Sequence, residues 1–312
     1  MKPGSEEWRD AAVLRSVPGE WDPALQRRAF LLLCLLPALV VLALMLVYPL
    51  FYNVFLSLSD ASFSHMRGWH LTGFQQYAAV FREQEFWITF GRTVVWTGVC
   101  TALQIVLGVL LAVILHQNFI RGRGAWRLLL LLPWAMPQYI TALTWRGMFT
   151  GDHGAVNSLL GLLGLGPVAW LGAPLAAFAA MMLVNVWMGF PFMMVVALTG
   201  LRAIPDSVYE AAQLEGASPW AQFTRLTAPL LRPIMLPATT LGIVWNFNSL
   251  NLVWLFSGGG EPGGATHILV SYVYENAFEF YQFGWAAALS VVIFAILFIF
   301  VQAFLQISRS WR

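Results

Sequence analysis

The sequence predicts an all-α, polytopic membrane protein with six transmembrane helices, and three observations support this fold class. Of its 312 residues, 59% are hydrophobic and only 10% are charged, with a mean hydropathy of +0.70. Soluble globular domains carry about 25% charged residues. The apolar residues form six runs that reach the roughly 20 residues needed to cross the hydrocarbon core, and no run has an acidic residue well inside it.

The predicted spans follow one another along the chain with short connections. They cover residues 29–58, 90–115, 126–147, 174–200, 233–257 and 284–307. The third span is the most polar because it contains Pro133, Pro137, Thr141 and Thr144. Proline removes a backbone donor from a helix, so we expect this span to be kinked.

The distribution of basic residues predicts the orientation of the spans. If residues 1–28 are cytosolic, thirteen of the 17 basic residues lie in cytosolic segments and four lie in outer segments or their flanks. The positive-inside rule then places both termini in the cytosol. Residues 1–28 are mixed in charge and lack a signal-peptide cleavage pattern, so we expect a retained cytosolic tail.

A charged, capped segment interrupts the apolar sequence between spans four and five. Asp206 or Ser207 can cap the start of a first helix, and Gly216 can supply the left-handed residue that ends it. Ser218 and Pro219 then suit the cap and the first residue of a second helix. The pattern predicts a helix, a glycine elbow and a second short helix in the cytosol. From these residues alone, the segment is either a docking element or an amphipathic connector on the membrane surface.

The residue order in this segment resembles the signature cytosolic loop of permease subunits of ATP-binding-cassette (ABC) importers. That signature is Glu-Ala-Ala, three residues, Gly, nine residues and then a hydrophobe near Pro. It is matched here by Glu210, Ala211, Ala212, Gly216, Leu226 and Pro229. Leu226 stands where the family usually has Ile, and Ala228 stands where it usually has Leu. The resemblance implies that Glu210, Ala211, Ala212 and Gly216 contact a separate ATPase, and that Glu210 meets a basic residue there.

Other segments narrow the resemblance to the carbohydrate branch, most closely the MalF-type membrane subunit of maltose and maltodextrin transporters. They read "LPWAMPQYI", "NVWMGFPFMMVVALTGLRAIPDSVYEAAQLEGA", "NFNSLNLVWLFSGGG" and "ILVSYVYENAF" and lie within about residues 125–305. The resemblance implies an ABC importer type I permease fold, with a six-span permease domain over residues 29–312 and a cytosolic coupling loop over residues 201–233. Glu261 departs from the usual Gly-Gly-Gly-Pro of the outer loop. The short segment 59–89 leaves no room for the large extracellular domain of some members.

The resemblance also implies a sugar site near the membrane midplane, on the two spans that flank the coupling loop. The matching positions are Asn185, Trp187, Met188, Gly189, Phe192, Gly242, Trp245, Asn246 and Ser249, with Trp134 as a weaker candidate. The two tryptophans of this set would stack on the sugar, its amides and Ser249 would bond the hydroxyls, and its glycines would give room. From the residues alone, a buried amide serves equally well as a bond between helices. We expect that second role of Asn248 and Asn251.

The partners that the resemblance implies are a second, MalG-like permease subunit, a cytosolic ATPase homodimer and an extracytoplasmic sugar-binding protein, assembled in the inner cell membrane. The only lysine is Lys2, so the chain has no P-loop Gly-Lys-Ser/Thr and cannot be the ATPase itself. We therefore expect no cofactor, metal or catalytic site in this chain, with ATP and Mg²⁺ used by the partner. Nothing in the sequence suggests binding to nucleic acid.

The predicted function is that of the permease subunit of an ATP-driven importer for maltose, malto-oligosaccharides or a related glucoside such as trehalose. A stand-alone sugar or polyol facilitator or secondary carrier is the alternative. It is weakened because the spans lack the internal Asp, Glu or His of proton relays. A non-transporting scaffold is disfavoured because amides and aromatic residues line up on two spans. The outer segment 257–285 is either an aromatic belt or a ligand-facing loop.

Overall fold

The computed structural model describes residues 23–65, 68–117, 120–151 and 153–309. These residues form helices joined by short connections, one isolated antiparallel bridge between Ser59 and Leu71, and no strand. The predicted all-α fold is confirmed. Most of the predicted cytosolic tail, up to residue 22, lies outside the described residues.

The helices are numbered in chain order over the described residues. They are α1 Pro23–Leu42, α2 Tyr48–Leu56, α3 Gln75–Arg82, α4 Gln84–His116, α5 Arg123–Ala135, α6 Gln138–Phe149, α7 Ala155–Leu162, α8 Pro174–Arg202, α9 Asp206–Leu214, α10 Pro219–Gln222, α11 Ala228–Phe247, α12 Leu250–Ser257, α13 Leu269–Phe278 and α14 Phe283–Arg309. Two π-helical turns, Ala43–Val47 and Phe223–Thr227, join α1 to α2 and α10 to α11 without a break.

Within the described residues, five helical stretches are long and apolar enough to cross a membrane. They are Phe30–Leu56, Gln84–His116, Pro174–Arg202, Pro219–Ser257 and Phe283–Gln306. The predicted third span is divided instead into α5 and α6, which meet at an angle of 92°. The break falls at Met136 and Pro137, because proline disfavours helical geometry in the residue before it. Counted as one broken span, this pair completes the predicted six.

The chain divides into two compact units, and the boundary between them follows Tyr52. The described part of the first unit is α1 and the start of α2, and its large side chains from Phe30 onward are exposed and apolar. A helix that is apolar on all sides has the pattern of a membrane span. The second unit begins at Asn53 and contains every site described below.

The second unit is built around the close packing of α4 against α8. A Cβ atom at Gly108 would lie 2.7 Å from both the Cβ of Met193 and the backbone nitrogen of Met194. Glycine therefore allows the two backbones to approach, as small residues do between membrane helices. Helix α11 completes this core. The buried residues of the cluster are Ala112, Leu115, Met193, Met194, Ala197, Leu198, Leu201, Leu231, Met235 and Ala238.

The segment between α8 and α11 differs in two respects from the prediction, namely the second helix and the cap expected from Asp206 or Ser207. Helix α9 ends at an elbow in which Gly216 has φ +78°, and Ser218 caps the next helix by accepting a bond from the Ala221 nitrogen at 3.3 Å. The predicted short second helix, however, is wrong. Helix α10 continues through the π-turn into α11, because no glycine interrupts the chain between Ser218 and Gly242. At the other end, α9 begins after Pro205 without a side-chain cap.

Substituting Gly108 tests the close approach of α4 and α8. We expect Gly108→Ala to destabilise the folded chain by about 1–3 kcal/mol, the usual cost of overpacking a core. Gly98→Ala is the matched control, because it lies on the same helix and nothing is within 4 Å of its added Cβ. Thermal unfolding in detergent measures both. Equal melting temperatures for the two variants would contradict the packing described here.

Candidate functional site

A cavity of about 420 Å³ opens between α5, α8 and α11 and the break that follows α11. It is lined by Gln104, Trp134, Met136, Gln138, Asn185, Met188, Gly189, Phe192, Met193, Gly242, Trp245, Asn246, Asn248 and Ser249. Apolar and aromatic side chains dominate, with a small number of amides and one hydroxyl. None of these described residues is charged. Ligand sites have this composition, in which a few polar groups fix the orientation of a mainly apolar contact.

Three amides form the inner wall of the cavity by bonding to one another across three helices. Asn185 Nδ2 on α8 donates to Asn246 Oδ1 on α11 at 2.8 Å. Gln104 on α4 donates through Nε2 to the backbone carbonyl of Asn185 at 2.9 Å and accepts through Oε1 from Asn246 Nδ2 at 3.0 Å. All three side chains are buried. In a membrane, where water cannot satisfy them, such amides stabilise the helix contacts that they bridge.

Asn246 has further partners, which make it the centre of this cluster. Its Nδ2 also donates to Thr101 Oγ1 at 2.9 Å, and its backbone carbonyl accepts from Trp96 Nε1 at 2.9 Å. Thr101 and Trp96 both lie on α4. The end of α11 is therefore fixed to α4 at several points, one helical turn apart.

The glycine of the inner wall makes this cluster sterically possible. A Cβ atom at Gly189 would overlap the side-chain amide nitrogen and carbon of Gln104. The space that the sequence predicted for a sugar at Gly189 is thus occupied by Gln104. The space at Gly242 is likewise filled by the terminal methyl group of Met193, 2.5 Å from an added Cβ. A methionine methyl can move, whereas the buried amide is held by its bonds.

An aromatic row forms the outer wall of the cavity. Phe192 lies between Trp134 and Trp245, with ring centroids 6.1 Å and 5.0 Å away. The two tryptophans are about half exposed, at 54% and 49%. Flat, exposed rings with no charge nearby are suited to contact with the apolar face of a ligand.

One hydroxyl in the cavity has no hydrogen-bond partner among the described residues. Ser249 is only 4% exposed, and its Oγ makes no hydrogen bond. It lies at the break between α11 and α12, where Asn248 also faces the cavity. A buried hydroxyl left without a partner costs about 1–3 kcal/mol. A ligand hydroxyl in the cavity would remove that cost.

Eight of the nine predicted sugar-site residues line this cavity, and Trp187 does not. Its ring packs edge-on against Trp145 of α6, with centroids 5.4 Å apart. Helical geometry explains the difference. Asn185, Gly189 and Phe192 are spaced i, i+4 and i+7 and share a face, whereas Trp187 lies about 200° round the helix from Asn185.

The sequence missed several residues of the cavity lining. These are Gln104, Met136, Gln138 and Met193. For Gln104 a signal was present, because it is an amide near the middle of an otherwise apolar span. Of the two amides expected to hold helices together, Asn251 donates to Gln138 of α6 at 3.5 Å, whereas Asn248 bonds to the Val244 carbonyl of its own helix.

The predicted coupling residues lie together on the surface of the segment between α8 and α11. Glu210, Ala211 and Gly216 are exposed and Ala212 is partly exposed. Two large hydrophobic residues that the sequence did not single out flank them. Leu214 is 90% exposed and Trp220 is 73% exposed. A cluster of small and apolar residues around one carboxylate is typical of a surface that another protein covers.

The segment between α12 and α14 is packed into the protein. This packing favours neither of the two roles predicted for the segment as a whole, an aromatic belt and a ligand-facing loop. Its buried residues His267, Ile268 and Leu269 contact the unit's interior, and the Leu269 nitrogen donates to Thr93 Oγ1 of α4 at 2.8 Å. Glu261, the departure from the usual glycine-proline sequence, accepts a bond from the Gly263 nitrogen at 2.8 Å. The carboxylate therefore stabilises the local turn.

His267 is the buried titratable group of this outer segment. Its Nε2 lies 3.2 Å from Glu275 Oε2, and its Nδ1 lies 3.1 Å from Ser271 Oγ. Burial lowers the pKa of His267 below its ordinary value, and the nearby carboxylate of Glu275 opposes this effect without cancelling it. Arg92 and Glu85 form an ion pair at 3.0 Å. Arg92 lowers the pKa of His267 slightly further, and Glu85 raises it slightly. His267 is therefore neutral at pH 7.

Comparisons with known proteins agree with this architecture. Residues 104–309 match the family model described as "Binding-protein-dependent transport system inner membrane component". The chain is 34% identical over 281 residues to the trehalose/maltose transport system permease protein MalF of Thermococcus litoralis, covering 90% of this chain and 94% of that protein. It is 33% identical to the sulfoquinovosyl glycerol transport system permease protein SmoG of Agrobacterium fabrum, covering 91% of each.

A solved structure shares the fold. It is a bacterial alginate ABC transporter in complex with an alginate pentasaccharide-bound periplasmic protein. The TM-score is 0.77 at 20% sequence identity, covering 92% of this chain and 96% of that one. At this identity the likeness shows the fold alone.

The buried histidine predicts a pH dependence of stability. The pKa of His267 is lower in the folded chain than its unfolded value of about 6.5. The contribution of neutral His267 to stability is therefore fully present above about pH 6.5, and it is lost as the pH falls through the folded-state pKa. We expect acidification from pH 7.5 to 5 to lower the melting temperature of the natural chain more than that of His267→Gln. The exposed His65→Gln is the control. Identical pH profiles for His267→Gln and the natural chain would refute the assignment.

Proposed function

The chain belongs to the family of binding-protein-dependent transport system inner membrane components, and we propose that it is the permease subunit of an ABC importer for maltose, malto-oligosaccharides or a related glucoside such as trehalose. The observation that carries this proposal is the uncharged cavity on α8 and α11, with an aromatic row on one side and polar groups on the other. Family membership disfavours the stand-alone facilitator.

The cavity favours a neutral sugar. A charged substrate would lose its hydration on entry and would need an opposite charge in the wall. None of the described lining residues can supply one. The alginate importer with a similar fold carries a substrate described as an acidic polysaccharide. The trehalose/maltose permease, by contrast, is 34% identical to this chain, against 21% for the alginate importer.

The lining residues divide into two roles in this proposal. Trp245 and Phe192 contact the apolar face of a sugar ring, and Ser249 bonds a hydroxyl with its free Oγ. The Asn246 side chain bonds to Asn185, Gln104 and Thr101, and the Asn185 side chain donates its Nδ2 to Asn246. Their main role is therefore to hold the cavity wall in place. Only hydrogen-bonding groups that are not already used in this way could bond to the sugar.

The proposed assembly contains a second, MalG-like permease, a cytosolic ATPase homodimer and an extracytoplasmic sugar-binding protein. The half-exposed Trp134 and Trp245 leave the cavity open on one side, which a second permease would close. An open groove of about 550 Å³, lined by Asp60, Gln76 and Tyr281 among others, offers the binding protein a place to dock. In the proposed assembly, both termini and the loop over residues 201–233 lie in the cytosol.

ATP and Mg²⁺ are bound by the ATPase in this proposal, and the permease contributes a mechanical connection. The ATPase pair closes on ATP and carries the exposed surface around Glu210 with it. Because α10 and α11 form one helix from Pro219 to Phe247, movement at the elbow reaches the cavity directly. At 1.5 Å per residue, that helix spans about 43 Å. Rigid-body movement of this kind is a common route between two states.

Removing the aromatic ring at position 245 tests the sugar site. We expect Trp245→Leu to raise the KM for sugar uptake by about 2–10-fold, which corresponds to the 0.5–1.5 kcal/mol of one aromatic contact. Basal ATP hydrolysis should persist. Trp187→Leu is the matched control, because this ring packs against Trp145 outside the cavity. Uptake by reconstituted assemblies measures both, and an effect at Trp187 alone would place the site elsewhere.

Removing the exposed carboxylate at position 210 tests the coupling surface. We expect Glu210→Ala to leave assembly intact and to reduce sugar-stimulated ATP hydrolysis several-fold, because a charge-assisted contact to the ATPase is lost. Glu261→Gln, which removes an exposed negative charge outside the groove proposed for the binding protein and can still accept the bond from the Gly263 nitrogen, should have no effect. Unaltered stimulation in Glu210→Ala would count against the docking role.

A further inference from the structure

Helix α9, which carries the coupling residues, is held to the rest of the chain by few contacts. It contains no buried residue. At one end the turn of residues 203–205 connects it to α8, and at the other the elbow at Gly216 connects it to α10. Glycine with φ +78° is a natural hinge, because it allows backbone changes that other residues resist. Something must therefore prevent α9 from swinging independently when the ATPase pulls on it.

A hydrogen bond joins α9 to the helix that leads into the cavity. Tyr209 Oη lies 3.1 Å from Thr227 Oγ1, in the π-turn just before α11. Thr227 is buried, with only 4% of the residue exposed. Its Oγ1 donates its own proton to the Gln222 carbonyl at 3.3 Å. Because a hydroxyl has one proton to give, Tyr209 is the donor in the bond to Thr227.

A second hydrogen bond closes the elbow end of the same hairpin. Gln222 Nε2 donates to the Ala217 carbonyl at 3.0 Å. The Ala217 nitrogen in turn donates to the Ala212 carbonyl at 2.9 Å, so the elbow is bonded on both sides. The hairpin formed by α9 and residues 219–227 is thus fixed at the elbow by Gln222 and at its open end by Tyr209.

We infer that the hydrogen bond from Tyr209 to Thr227 is the latch that makes α9 and the α10–α11 helix a single moving body. This inference rests on the proposed function and identifies the two residues as positioning residues for coupling. Without the latch, α9 pivots at Gly216 and follows the ATPase while α11 lags behind. ATP is then hydrolysed with less sugar delivered, although the sugar site itself is unchanged.

Conservative variants test the latch in the complete, reconstituted assembly. Tyr209→Phe removes the donor and Thr227→Val removes the acceptor, and each keeps nearly the same shape. We expect either variant to lower sugar uptake per ATP hydrolysed by about 2–10-fold, the range for one lost hydrogen bond, with an unchanged KM for sugar. The double variant should be no worse than the stronger single variant, because both remove the same bond.

Thr224→Val is the matched control, because the Thr224 hydroxyl is exposed and bonds within its own helix to the Trp220 carbonyl at 2.9 Å. It should leave the ratio of uptake to hydrolysis unchanged. A spin label at Leu214→Cys, in a chain lacking Cys34 and Cys100, gives a second readout that does not depend on transport. Its mobility should rise in Tyr209→Phe and not in Thr224→Val.

The outcomes separate this inference from the proposed function. Additive losses in the double variant, or unchanged coupling and label mobility in both single variants, would overturn the latch. If Glu210→Ala still lowers stimulated hydrolysis in that case, the permease function stands and only the latch is wrong. If Glu210→Ala is also without effect, the coupling role of the whole segment fails with it.

Discussion

A polar side chain within a membrane span must find its partners inside the protein, and in this chain that constraint is concentrated at Asn246. Through Gln104 and Asn185 it joins α11 to α4 and α8, and all three amides are buried. Gly189 is required because any larger residue would displace Gln104. Helix α11 ends one residue after Asn246, and the unpartnered Ser249 lies just beyond. The cavity wall thus follows from how these amides are satisfied.

The same helix that carries Asn246 extends to Pro219, beside the elbow at Gly216. Three prolines, at positions 229, 233 and 237, lie in α11 without ending it. The π-turn before them keeps the helix continuous with α10. The elbow beside the proposed coupling surface and the amide cluster therefore lie at the two ends of one continuous helix. Under the proposed function, this continuity carries the movement of a separate ATPase to the cavity.

Composition and periodicity were sufficient to predict the helical class and most spans, because a run of about 20 apolar residues has one stable arrangement in a bilayer. The start of α8 at Pro174 follows directly from the sequence. The angle between α5 and α6 does not follow from the sequence. Pro137 predicts where the helix breaks, next to Met136, but tertiary packing sets the size of the angle. The continuity of α10 with α11 was missed because a cap and a proline were taken to begin a separate short helix.

The predicted site came largely from a resemblance, and the differences between that set and the cavity lining have a geometric cause. Trp187 was included although the helical period turns it away from Asn185. Gln104 was missed because it lies on a third helix, and sequence alone does not show which helices meet. The roles assigned to the glycines changed for the same reason, since only the fold shows that Gln104 and Met193 occupy their space. The domain boundaries at residues 28 and 233 remain predictions.

The central claim is that the elbow and the cavity end of α11 move as one body. A pulsed electron paramagnetic resonance distance between spin labels at Leu214→Cys and Asn248→Cys tests it directly, in the complete assembly with Cys34 and Cys100 replaced. Both positions are exposed. The account predicts the same distance in the nucleotide-free state and the ATP-trapped state. A change larger than one helical turn, about 5.4 Å, would show that the element bends and would contradict the claim.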